Sequence, residues 1–274
     1  MYLSGFDEAL LGHGSLVMSN ISRGLFHSLS RGRLLHAPQH GIPGHYYRQF
    51  SRMSLAFAVT TEMVLMSVGG GLKRKESLSA RLGDVLSLLY LGSAVLKHHY
   101  DHGSPDDELP LLEWSCEDLL YNIQVRLHEV FDNLPNRFVA GVARVLTFPL
   151  GKPYKRPPDE LGQRVANLIL QPGPLRDRLT EGVYIPADSS EAVAQLDDAL
   201  EKSATAEPAL RKLREAVRAG TLPHGDPEGH VDAGVTAGII TEQEAAGIRA
   251  AIAARKVVIQ VDEFLPEYLT KERR

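Results

Sequence analysis

Apolar residues recur at three- and four-residue steps through most of this chain, and that period commits it to helices. Between Tyr46 and Val68, residues Tyr47, Phe50, Met53, Phe57 and Val64 fall on one face, the pattern of a helix buried on one side. Gly69-Gly70-Gly71 follows and stops or kinks it, because three glycines favour neither helix nor strand. A second helix over Ser77–His99 carries Leu78, Leu82, Val85, Leu86, Leu89 and Leu96 on a broad apolar face, with His98, His99 and His102 at its end. Asp101–Pro110 reads as a polar loop, Leu111–Asp132 as a third helix ended by Pro135, and Arg137–Phe148 as a fourth. Val257–Val261 is the one strand-like run, and one short strand makes no sheet. The expected fold class is all-α: a helical bundle with a smaller helical C-terminal region.

Punctuation sets the expected organisation. Gly151–Pro158 holds three prolines in eight residues and reads as a linker. Asp159–Leu170 is a short helix broken by Pro172-Gly173-Pro174. The tail reads as three more helices. Ser190 caps the first, Glu191–Ser203; Pro208 opens the second, which Gly220 ends; and Thr241-Glu242-Gln243-Glu244 is a capping box for the third. The expected domains are a bundle over 1–150, a Pro-rich linker with short helices over 151–186, and an acidic helical region over 187–274. Ten basic and 6 acidic residues lie in 1–102, against 11 and 16 in 187–274, so the front is mildly basic and the tail acidic. The formal charge of −4 gives no electrostatic reason to expect nucleic acid. Cys116 is the single cysteine; it excludes an internal disulfide or a cysteine-based zinc cluster and points to a reducing compartment. Met1–Gly14 carries Asp7 and Glu8 and does not read as a secretory signal. Thr60, Thr61 and Glu62 interrupt the longest apolar stretch, so no transmembrane helix is expected.

No motif names a catalytic residue. His98, Asp101 and His102 have a spacing that could share a helix face as metal ligands, yet no glutamate follows His98 as a metallohydrolase pattern requires, and a solvated histidine cluster is the simpler reading. Gly69–Gly71 with Lys73-Arg74-Lys75 lacks the Gly-Lys-Ser/Thr ending of a phosphate loop and reads as a helix–helix corner. Ser15, in Gly-His-Gly-Ser, lacks the second glycine of a nucleophile elbow and reads as a loop or helix-cap residue. Glu62, Glu76, Asp84 and Glu113 could each act as a base, but nothing in the sequence pairs them with a partner.

Leu72–Lys97 (LKRKESLSARLGDVLSLLYLGSAVLK) resembles the C-terminal part of the bacterial-type long-chain acyl-CoA dehydrogenases. The likeness continues through Asn133–Pro149 (NLPNRFVAGVARVLTFP), Pro158–Leu170 (PDELGQRVANLIL), Gly182–Pro186 (GVYIP) and Val261–Leu269 (VDEFLPEYL), and is present near the front in Phe6–Asn20 and Tyr46–Arg52. The resemblance implies FAD as cofactor, fatty acyl-CoA as substrate and α,β-dehydrogenation in fatty-acid β-oxidation. It also implies that the flavin-contacting segment and the proton-abstracting glutamate lie just upstream of the part matching Phe6. The chain is therefore expected to begin after both, with no catalytic residue of its own and an unknown share in cofactor binding. In related long-chain enzymes this helical region supports dimer packing and membrane contact. The implied partners are a second copy or an N-terminal dehydrogenase part, and the implied location is the cytoplasm or the inner face of the cytoplasmic membrane. A catalytically silent helical interaction module partnering a dehydrogenase is the alternative.

The membrane expectation has its own residues. Asn133–Pro158 holds no Asp or Glu, but carries Arg137, Arg144, Lys152, Lys155 and Arg156. In a helix from Arg137, Phe138, Val142, Val145 and Leu146 cluster apart from Arg137 and Arg144. An apolar stripe flanked by long basic side chains suits a lipid interface, and equally suits packing on the neighbouring helices.

Overall fold

The computed structural model describes residues 2–223 and 225–261, and ten α-helices with no strand make up the described residues. From Asp262 onward, the Val261–Leu269 segment lies outside them. The chain divides into two compact units, Met1–Val165 and Ala166–Arg274, with the division inside a helix.

The first unit is built from α1 (Tyr2–Leu29), α2 (Gly41–Val68), α3 (Glu76–Asp101), α4 (Leu109–Asn133) and α5 (Arg137–Thr147), and α6 (Asp159–Leu170) starts within it. The all-α expectation holds, and α2 to α5 fall where the periodicity places them. α2 starts at Gly41, because Pro43 sits in the first turn, where a missing N–H costs nothing. The triple glycine becomes a short 3-10 turn, Gly69–Arg74, with Gly69 at φ 52°. Antiparallel α3 and α4 are tied by Asp84–Arg126 (3.1 Å) and Arg81–Glu129 (3.4 Å). Met53, Val85, Ile123, Leu127, Val130 and Phe131 are among the fully buried side chains of the core. By length and composition alone, α2 with its 3-10 extension and α3 could each cross a membrane. In the unit they supply one side of this core and leave Leu65, Met66, Leu86, Tyr90 and Leu91 exposed.

Two expectations are corrected here, and a third segment gains an anchor. Ser15 lies in the interior of α1, not in a loop or at a cap. Val257–Ile259 form the last turn of a helix and not a strand, since among the described residues no second strand exists to pair with them. The Gly151–Pro158 segment, read as a linker, is non-helical but anchored through Tyr154. The Gln124 side chain brackets the Tyr154 backbone, donating to its carbonyl (2.9 Å) and accepting from its N–H (3.1 Å). The Tyr154 hydroxyl donates to Gln49 Oε1 (2.9 Å) and accepts from buried Arg52 (2.9 Å). Arg52 also donates to the Thr147 carbonyl (3.3 Å) and lies over the Phe148 and Tyr154 rings. Its charge is thus held by ring faces and oxygen dipoles, a strap that fixes the chain after α5.

Burial also sets a pH response. His128 packs against Phe131 and Phe148. Burial holds its ring below the ordinary histidine range; the Gln124 carbonyl opposes that shift, and the Lys152 and Arg144 charges add to it. His27 and His45 are held low by burial and by Arg23 and Arg48 respectively. Below the ordinary value, near pH 6.5, the unfolded chain takes up protons that the folded chain refuses. Stability is therefore expected to fall as the pH drops from about 7 to about 5, and His128→Gln should flatten that fall in denaturant titrations. An unchanged slope would contradict the assignment.

The second unit contains α7 (Pro174–Leu179), α8 (Ala192–Arg218), α9 (Pro227–Thr236) and α10 (Glu242–Ile259). The two tail helices expected on either side of Pro208 are one continuous helix, α8. An interior proline costs about 3 kcal/mol, but burial of Ala199, Ala206, Ala209 and Leu213 along the same helix outweighs it. Ser190 does not cap α8, whose N-cap is Glu191. The Thr241 capping box forms as read, with Glu244 N–H donating to Thr241 Oγ1 (3.1 Å) and Thr241 N–H donating to Glu244 Oε2 (2.8 Å).

Candidate functional site

α5 begins because the Asn136 side chain accepts from the N–H groups of Phe138 and Val139 (3.1 and 3.2 Å). Its inner face buries Ala140, Ala143 and Thr147, small residues that let the helix lie close to α2. The apolar cluster read from the sequence splits between two surroundings. Val142 and Leu146 pack against the core. Phe138 and Val145 face outward, 80% and 61% exposed, and Leu150 is exposed just beyond the helix. A phenylalanine so open to water at the outer edge of a helix is the feature that marks this surface.

The five basic residues do not form one array. Arg137 donates to the Phe131 and Asp132 carbonyls (3.3 and 2.8 Å), closing the C-terminus of α4. Arg144 pairs with Asp132 (2.7 Å) and lies 5.9 Å from the centre of the Phe131 ring. Arg156 stacks on Tyr121, 5.1 Å from its ring centre. Lys152 and Lys155 are exposed on the strap held by Tyr154, and both project charge into solvent without an ion pair among the described residues. Phe138 and Val145 thus share the outer side of α5, with Leu150, Lys152 and Lys155 exposed in the segment that follows it, while Arg137 and Arg144 serve the α4–α5 corner.

The other sequence candidates do not converge. Asp101 turns to Lys97, and His102 Nδ1 meets the His98 carbonyl at 2.8 Å. Among the described residues no group of three metal-ligating side chains comes together. Lys73, Arg74 and Lys75 are exposed at the 3-10 corner. Asp84 is paired with Arg126, and Glu76 is exposed in the first turn of α3. Glu113 sits one turn before Glu117 on α4. Burial, with the nearby Glu113 charge, raises the Glu117 carboxyl above the usual range, while the Tyr46 hydroxyl hydrogen bond opposes that shift. Glu62 lines a groove of about 570 Å³ between α2 and α3, with Ser51, Phe57, Leu86 and Tyr90 among its walls. That groove does not fit a flavin dinucleotide: it presents a carboxylate and no cation where a diphosphate would need positive charge. No step is derived through it.

Sequence reasoning missed two buried polar groups, Arg52 and the His99–Glu108 pair (3.5 Å). Arg52 lies inside an apolar periodic stretch, where a single polar letter gives no sign of its direction, and Glu108 lies in the run read as a polar loop.

The family described as acyl-CoA dehydrogenase, C-terminal, bacterial type, matches residues 2–264. The chain belongs to this family. The acyl-CoA dehydrogenase C-terminal match therefore runs through both compact units, taking in the α5 surface, its strap and the α8–α10 helices. No solved structure matches the chain.

Proposed function

We propose that the chain is the C-terminal helical part of an FAD-dependent dehydrogenase that oxidises fatty acyl-CoA at Cα–Cβ in β-oxidation, and that it packs and places that enzyme without doing the chemistry itself. The family match over residues 2–264 carries this reading. Exposed apolar side chains support the packing role. Phe6, Leu10, Leu11 and Met18 of α1, and Leu86, Tyr90 and Leu91 of α3, lie open to solvent. Large apolar side chains gathered on a surface mark a contact with more protein, either a second copy or the flavin-bearing part of the dehydrogenase.

The α5 surface supports placement at an anionic membrane. Phe138, Val145 and Leu150 would enter the headgroup boundary while Lys152 and Lys155 meet lipid phosphates. Each basic residue near an anionic surface contributes about 1 kcal/mol. Lys152→Glu with Lys155→Glu should therefore weaken co-sedimentation with anionic vesicles about thirtyfold or more, and Phe138→Ser should weaken it further. Arg144→Glu acts instead by breaking the Asp132 pair and is expected to lower stability. Equal recovery in the supernatant for the parent chain and the double variant, on anionic and neutral vesicles alike, would retire the membrane role.

A further inference from the structure

The Ala166–Arg274 unit holds a cavity of about 490 Å³ bounded by α8, α9 and α10, within the size range of small-ligand sites. Ser203, Glu207, Leu210, Arg214 and Val217 line one wall, spaced at alternating steps of four and three, so they form a continuous flank of α8. At the helical rise that flank is about 21 Å long. Leu213, Ala251 and Ile252 complete an aliphatic floor, and among the described residues no Phe, Tyr or Trp lines the space. An extended aliphatic chain would find apolar contact along Leu210, Leu213, Val217, Ala251 and Ile252.

The rim is basic. Arg214, Arg218 and Arg255 face one carboxylate, Glu207, and Arg214 already engages it. Among the described residues Arg218 and Arg255 have no ion-pair or hydrogen-bond partner. The Lys212–Glu244 pair (2.6 Å) joins the start of α10 to α8, and Arg218 lies further along, at the C-terminal end of α8. There His230, whose Nε2–H donates to the Pro223 carbonyl (2.9 Å), closes the cavity. Among the described residues that line the cavity, Glu207 is the one carboxylate, and Arg218 is the lining cation farthest from it along α8.

We propose that this cavity binds an unbranched aliphatic chain ending in a single anionic group, a carboxylate or a phosphate, with the headgroup at Arg218 and the chain along the Leu210–Val217 flank. This site is independent of the α5 surface, and its occupancy does not rest on the dehydrogenase reading. The test is calorimetric titration of the full chain with dodecanoate and, separately, dodecyl phosphate, each below its micelle-forming concentration, with dodecyltrimethylammonium as the cationic counterpart. Saturable binding of one or both anions and none of the cation is expected, and the two anion arms tell carboxylate from phosphate. Arg218→Glu should weaken anion binding about tenfold or more, as loss of one charge-assisted contact implies, and Arg255→Glu should matter less. Arg218→Gln, milder toward the helix, should move affinity in the same direction and guards against a misfolded variant. Absent anion binding, equal binding of the cation, or unchanged affinity in both Arg218 variants would overturn the proposal.

Discussion

Phe131→Ala is expected to destabilise the Met1–Val165 unit by about 3–5 kcal/mol, the cost of emptying a fully buried aromatic site. Phe131 lies at the end of α4 with no exposed surface. Its ring meets His128 and Phe148 edge-on, at centroid distances of 5.8 and 6.4 Å, and lies under the Arg144 guanidinium. It therefore joins α4, the α5 corner and the chain that continues into the Tyr154 strap. Loss of this ring should lower the melting temperature and also loosen the α5 surface. Amide exchange in Arg137–Thr147 is expected to quicken more than in α3, which has its own contacts with α2 and α4. A cost below about 1 kcal/mol, or uniform loosening of all helices, would contradict the role given to Phe131.

Gly92→Ala is expected to overpack the contact between α2 and α3. A Cβ at Gly92 would overlap the ring of Phe50, which is buried on the facing helix α2. Neither partner can retreat, because Tyr47 also reaches across to the Leu96 carbonyl (3.4 Å) and holds the two helices at this distance. Overpacking of this kind costs about 1–3 kcal/mol. The cause can be isolated by trimming the ring: Phe50→Leu alone leaves a void, whereas Phe50→Leu with Gly92→Ala should cost less than the sum of the singles. Additive effects in that cycle would show that Gly92 matters for a reason other than the Phe50 ring.

Most of the first unit was legible because its helices bury one face each. Val85 and Leu89 of α3 lie where the period puts them, and Pro135 ends α4 as prolines do. The tail was harder for a definite physical reason. Pro208 is the strongest local signal in α8, yet alanines and Leu213 packed on α10 override it. Val257–Ile259 carry β-propensity without a partner strand, and continuation of α10 satisfies their backbone instead. α1 was not anticipated because Leu10, Leu11, Leu16 and Met18 surround the helix without marking one stripe, and most of them stay exposed.

The candidate surface was half legible. Composition singled out the acid-free run from Asn133 to Pro158 with its five basic residues, but not their separate tasks. Asp132 lies one residue before that run and captures Arg144, and the Phe131 and Asp132 carbonyls capture Arg137. Tyr121, on another helix, takes Arg156. Those three contacts depend on how α4 and α5 meet, which sequence spacing does not state.

We propose that the chain packs and places a dehydrogenase and supplies neither a flavin bed nor a base. The direct measurement is made on the full chain, purified and then saturated with FAD: its visible flavin absorbance after desalting, and its reduction of an electron-accepting dye on addition of a long-chain acyl-CoA. No retained flavin and no acyl-CoA-dependent dye reduction are expected. A stoichiometric flavin spectrum with dye reduction that follows acyl-CoA would contradict it.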